Sequence, residues 1–135
     1  MSVVQGALRG LSILAVADHS DSLERLIPLL EPVGAIVIGV RTPNAAMEYA
    51  AAARFDAVLV DVRPDAGLRL LNQLRDSRTA SANTPVFAVC GERHDAQYRA
   101  SFAAWFPKPV TSEILVPRLA ALPRPSWTDL AENPA

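Results

Sequence analysis

FDAVLVDVRPDAGL, residues 55–68, decides how this chain folds. Within Asp56 to Asp61 the middle is wholly apolar: Ala57, Val58, Leu59 and Val60 leave no polar face. A half-exposed strand alternates polar and apolar residues, so a run this uniform reads as a strand buried on both faces, central in a sheet. Asp61 ends the run, at the carboxyl end of that strand. After VRPDAG, the stretch Gly67 to Arg78 carries Leu68, Leu70, Leu71 and Leu74 at helical spacing.

The same strand-then-helix alternation continues in both directions. Ser12 to Ala17 (SILAVA) is a first buried strand. Asp18, Ser20 and Asp21 are each candidates to cap the helix that follows, which carries Leu23, Leu26, Ile27, Leu29 and Leu30. Pro32 and Gly34 stop it. Ala35 to Val40 is a second strand. Thr42, Pro43 and Asn44 open an Ala-rich second helix reaching roughly to Arg54, with Pro43 suited to the first turn. Ser81 to Thr84 reads as a polar loop and Pro85 to Cys90 (PVFAVC) as a fourth strand. A fourth helix is expected over His94 to Ala103, a short fifth strand over Ala104 to Phe106, and a fifth helix over Ser112 to Leu122. Five βα units in this order predict an α/β domain with a parallel sheet and helices on both faces. Residues 1–122 form the expected domain. Residues 123–135, with three prolines, read as a flexible tail or linker.

Composition excludes several classes. The 135 residues suit one core; half are hydrophobic and 20% charged, a globular balance. A net charge of -1 gives no attraction for nucleic-acid phosphates. No apolar run reaches membrane-spanning length, and Met1 to Gly10 holds no signal-peptide block, so a cytoplasmic location is expected. Cys90 is a single cysteine, and His19 and His94 lie too far apart in sequence to suggest zinc. In open α/β sheets the site forms beyond the carboxyl ends of the strands. The residues there are Asp18, Asp61, Cys90 and Lys108.

Four pieces, ILAVADHS, FDAVLVDVRPDAGL, TPVFAVCG and FPKPV, each contain one of those positions, at a strand end. In that order they resemble the receiver domain of two-component response regulators, over roughly Leu11 to Leu122. The resemblance implies a flavodoxin-like (βα)5 sheet of order 2-1-3-4-5. It implies that Asp61 accepts a phosphoryl group from a histidine kinase or phosphotransfer protein. Asp18 and Asp61 would hold Mg²⁺, and Lys108 would pair with phosphoryl oxygens. Lys108-Pro109 matches a step at which the family has a cis peptide. The resemblance also implies signalling to a downstream protein through the fourth helix, fifth strand and fifth helix, in a monomer or homodimer. It implies at most a phosphoryl acceptor with self-dephosphorylation, not a conventional enzyme. Singly, Asp61 and Asp18 also read as turn or helix caps, and Lys108 as a surface lysine.

The sequence departs from the family pattern at several points. Ala17-Asp18 stands where two adjacent acids are usual, which weakens the pull on a dication; Asp65 and Glu92 are candidates to compensate. Cys90 stands where Thr or Ser is usual, and a thiol is a weak donor. A small buried cysteine fits that place better than a redox handle, since no second cysteine exists to resolve an oxidised thiol. Arg63 and Glu92 fall at positions that tune dephosphorylation in the family, and a bridge between them would partly cover Asp61. Trp105 occupies the place of the switch aromatic, and reads equally as a half-exposed residue of the last strand. Trp127 is free to pack on the domain or on a partner. Three functions are therefore in play: a phosphorylated receiver, a pseudo-receiver that binds proteins without phosphate, and an unrelated flavodoxin-like domain binding a small ligand or sensing redox state. The last has no Gly-rich phosphate loop after the first strand.

Overall fold

Uniform apolar runs form the strands and leucine-periodic stretches the helices. The computed structural model describes residues 5–91 and 96–124. Strands β1 (Ser12–Ala17), β2 (Ile36–Val40), β3 (Ala57–Asp61), β4 (Val86–Cys90) and β5 (Ala104–Pro107) alternate with helices α1 (Ser20–Leu30), α2 (Pro43–Ala52), α3 (Pro64–Asp76), α4 (Ala96–Ala100) and α5 (Ser112–Ala120). All neighbouring strands are parallel, in the order β2-β1-β3-β4-β5. Every residue of β3 and β4 is buried, whereas β2 is an edge strand with Ile36 exposed. The five-stranded doubly wound domain expected from the sequence is the observed one.

Strand alternation divides the core in two. Leu14, Val16, Val58, Val60, Val86, Ala88 and Cys90 face α2, α3 and α4. Ile13, Leu59, Phe87, Val89 and Phe106 face α1 and α5 through Leu26, Leu30, Leu115, Val116 and Leu119. Thus Cys90 closes the α3–α4 layer. Asp61, one residue out of phase with Val58 and Val60, leans toward α1 and α5.

Several boundaries differ from the sequence reading, each for a local reason. No side chain caps α1: its N-cap is His19, and the Asp18 carboxylate instead accepts from the Arg63 N–H at 3.3 Å. The Thr42 hydroxyl does cap α2, accepting from the Ala45 N–H at 3.1 Å. Helix α3 starts at Pro64, a turn earlier than expected, because proline suits a first helical turn. Gly67 is therefore helical, its N–H donating to the Arg63 carbonyl at 2.9 Å. Helix α4 ends at Ala100 rather than Ala103, since the Ala103 N–H already pairs with the Val86 carbonyl at 2.9 Å. The expected start of that helix, His94, lies outside the described residues. Gly34 stops the 3-10 turn Glu31–Val33 at φ 108°, a left-handed conformation that glycine adopts without strain.

The polar loop before β4 is largely interior. Ser81 is fully buried; its Oγ donates to the Ala53 carbonyl at 3.1 Å and accepts from the Phe55 N–H at 3.3 Å. The Thr84 hydroxyl donates to the Phe55 carbonyl at 2.9 Å. The Asp56 carboxylate accepts from the Ser12 N–H at 2.8 Å. These bonds satisfy backbone groups below the sheet and tie the starts of β1, β3 and β4 together. Ser81→Ala strands two of those groups. It should cost about 1–3 kcal/mol, read as a lower urea midpoint with an unchanged slope.

Candidate functional site

Parallel register brings four strand ends to one pole of the sheet. Ala17 pairs with Asp61, and Cys90 with Pro107, so Asp18, Asp61, Cys90 and Lys108 all emerge there. Asp61 is 8% exposed, an acid almost enclosed by apolar strands. A buried carboxylate needs a partner. Lys108 supplies it, with Nζ 2.7 Å from Asp61 Oδ1. The Lys108 N–H donates to the Cys90 carbonyl at 3.2 Å, which sets the lysine beside the end of β4. The Lys108-Pro109 peptide is cis.

Asp61 and Lys108 line a small cavity of about 80 Å³ together with Ser22, Arg25, Leu26, Val89, Pro109 and Val110. Ser22 and Arg25 are the residues that sequence reasoning missed. They share the i, i+3, i+4 helical face with buried Leu26, the signal that would have placed them toward the site. Asp18 lies at the rim of a separate, open groove with His19, Arg41, Thr42 and Arg63. Its Oδ2 accepts from the Arg63 N–H, and His19 Nε2 stands 3.9 Å from its Oδ1.

The remaining expected site residues are distributed around this centre. The Arg63 side chain points to Asp65, at 3.8 Å, with both exposed. The Arg63–Glu92 bridge lies outside the described residues, as do Glu92 and Trp127. Trp105 is 40% exposed, and the Arg99 guanidinium sits 4.5 Å above its ring. Cys90 is buried, and that burial is the main cause pushing its thiol above the ordinary value of 9.0. Desolvation outweighs the lowering effects of Arg99 and Lys108. A thiol held protonated in a core is not a reactive nucleophile. Tyr98 of α4 was not singled out by the sequence, yet its phenol is buried near the same pole. Its pKa is raised by desolvation first, then by Cys90 and Asp61.

No protein-family profile and no curated protein matches the sequence. Solved structures do match. A CheY-like response regulator receiver domain from Methylobacillus flagellatus is 25% identical with a TM-score of 0.71, over 81% of this chain and 95% of that one. A chemotaxis response regulator of Vibrio cholerae is 24% identical with a TM-score of 0.69, over 81% and 95% of the two chains. The chain has the fold of a response-regulator receiver domain. The receiver domain of a sensor histidine kinase from Pseudomonas aeruginosa, 21% identical with a TM-score of 0.68 over 82% of this chain and 94% of that one, has a magnesium ion coordinated in its active-site cleft.

The donor set in this receiver fold is sparse for such an ion. Ala17, fully buried, offers a methyl group one position before Asp18. Among the described residues no group of three acids, histidines or cysteines converges. Two carboxylates, Asp18 and Asp61, suffice for Mg²⁺ only when waters and phosphate oxygens complete its shell. Asp18 and Asp61 are the two carboxylates at this pole that could contribute to such a site. No helix among the described residues is long and apolar enough to cross a membrane.

Burial of the thiol and the phenol gives alkaline behaviour a defined sign. Both pKa values are higher in the folded than in the unfolded chain, from ordinary values of 9.0 for the thiol and 10.0 for the phenol. Their contribution to stability is therefore whole below the unfolded thiol's value and is lost as pH rises toward the folded values. Urea midpoints should be flat near neutrality with respect to these groups and fall above about pH 9. Cys90→Ala should lessen the fall. A thiol-specific disulfide reagent should label Cys90 only as fast as the protein unfolds.

Proposed function

We propose that this protein is a receiver module of two-component signalling, which accepts a phosphoryl group on Asp61 from a histidine kinase or phosphotransfer protein and signals by protein contacts. The observation that carries this reading is the buried Asp61 carboxylate held 2.7 Å from Lys108 Nζ at the carboxyl end of the central strand. An isolated carboxylate is a poor nucleophile, so the transfer depends on placing it in line and neutralising charge on the moving group. In the transfer, an Asp61 oxygen forms a bond to phosphorus while the bond from phosphorus to the donor's nitrogen or oxygen breaks. The donor keeps that electron pair, and any proton it then takes up comes from water. Lys108 shifts from the carboxylate to the phosphoryl oxygens, keeping one positive charge against the growing negative charge. Mg²⁺, held by Asp18 and Asp61 when bound, would add further neutralisation. Arg25 of α1 lines the same cavity and brings a second cation to its wall.

A second reading has its own support. Ala17 removes one metal ligand, and Cys90 replaces a hydroxyl by a buried thiol. A pseudo-receiver that keeps the fold and binds partners without phosphate would tolerate both. Its contact surface would include exposed Trp105 and Ile114 on β5 and α5.

Intact mass after incubation with Mg²⁺ and acetyl phosphate separates the two. The receiver reading expects a single phosphoryl adduct that vanishes in Asp61→Asn. In Lys108→Ala the adduct should form about tenfold more slowly or worse, the loss of one charge-assisted contact. Absence of any adduct at saturating donor and Mg²⁺ would leave the pseudo-receiver as the function.

A further inference from the structure

One wall of the cavity beside Asp61 is built by α1. Leu26 is buried in the core, and the turn before it carries Ser22 and Arg25 to the same cavity. The cavity of about 80 Å³ takes its charges from two cations, Arg25 and Lys108, and one carboxylate, Asp61. Its wall therefore holds more positive than negative charge. Apolar side chains from α1, β4 and the connection after β5 partly close it.

The polar groups of this wall are not equally engaged. Lys108 Nζ already holds Asp61 at 2.7 Å. Among the described residues the Arg25 guanidinium forms no ion pair and no hydrogen bond, and the Ser22 hydroxyl forms none either. A guanidinium carries five N–H donors and a serine hydroxyl one. The wall thus presents donors that no acceptor of the protein uses. Cys90 is placed differently. It closes the α3–α4 layer, and Val89 is the β4 residue that lines the cavity. A thiol is in any case a weak donor.

We propose that Ser22 and Arg25 form the oxyanion-binding wall of the Asp61 cavity, donating to the oxygens of the incoming phosphoryl group from α1, a contact that the Cys90 thiol does not supply from β4. Arg25 has no protein contact to break when the group arrives, whereas Lys108 has to leave Asp61. Paired N–H donors of a guanidinium match two oxygens of one phosphoryl group, so they orient it as well as attract it. Orientation of phosphorus toward Asp61 is what the transfer requires. Ser22, three residues earlier on α1, adds a neutral donor. Neither side chain forms or breaks a covalent bond, and each keeps its protons. The assignment deepens the phosphoacceptor reading and rests on it for the covalent step. Binding of a free oxyanion in the cavity does not depend on that step.

Two arms test the wall. In the first, the intact-mass adduct is followed over a range of acetyl phosphate concentrations at saturating Mg²⁺. Arg25→Gln should raise the half-saturating concentration about tenfold and Ser22→Ala about threefold, the losses of one charged and one neutral donor. Arg25→Lys and Ser22→Thr should each recover part of the loss, which a purely structural role would not predict. Urea midpoints should stay near that of the parent, because Arg25 is exposed and Ser22 half-buried. Arg118→Gln removes the same charge from α5, outside the cavity, and should change nothing. Unchanged half-saturating concentrations in the α1 variants, or an equal rise in Arg118→Gln, would overturn the assignment. The second arm needs no phosphorylation. In Asp61→Asn the acceptor charge is gone, and inorganic phosphate should bind in the cavity, read from amide NMR shifts along α1. Adding Arg25→Gln should weaken that binding about tenfold. No binding, or equal binding with and without Arg25, would overturn the oxyanion wall. If the parent chain forms no adduct, the phosphoacceptor reading fails, and phosphate binding alone decides the wall.

Discussion

A strand covered on both faces has no freedom to slip, because a shift of one residue would drive every side chain into the wrong layer. In β3 this constraint is complete: Ala57 and Leu59 fill the α1–α5 layer while Val58 and Val60 fill the α2–α3 layer. Its register against β1 sets Ala17 opposite Asp61, and its register against β4 sets where Cys90 ends. Everything at the pole inherits its position from these pairings. Lys108 reaches Asp61 because β5 is in register with β4, so that Pro107 lies beside Cys90 and the next residue clears the sheet.

The same alternation makes the pole two-sided. Asp61 opens toward α1 and α5, into the cavity with Arg25 and Lys108. Cys90 closes the opposite layer with Tyr98 and Phe102. The buried acid and the buried thiol therefore belong to opposite layers of the sheet. The Tyr98 phenol lies in that second layer, accommodated by a glycine in α3. Charge is arranged in the same spirit. Lys108 pairs with buried Asp61, Arg25 lines the same cavity, and the Asp18 carboxylate accepts from the Arg63 N–H at the neighbouring groove.

Residue pattern alone determined the five strands, the double burial of β3 and β4, and the gathering of Asp18, Asp61, Cys90 and Lys108 at the strand ends. Uniform apolar runs have only one stable place, and parallel connections have one hand. Tertiary structure decided what pattern cannot express. Ser81 and Thr84 look like solvated loop residues, yet they are buried because the backbone of Ala53 and Phe55 needs partners there. Asp18 looks like a helix cap, yet its carboxylate serves Arg63, 45 residues away in sequence. Gly67 reads as the first residue of the third helix, yet it lies a turn inside α3 and receives the phenol of a residue on another helix. Periodicity records which face of an element is buried. Which side chain meets which across two elements depends on distances between segments remote in sequence, and those exist only once the sheet has closed its register.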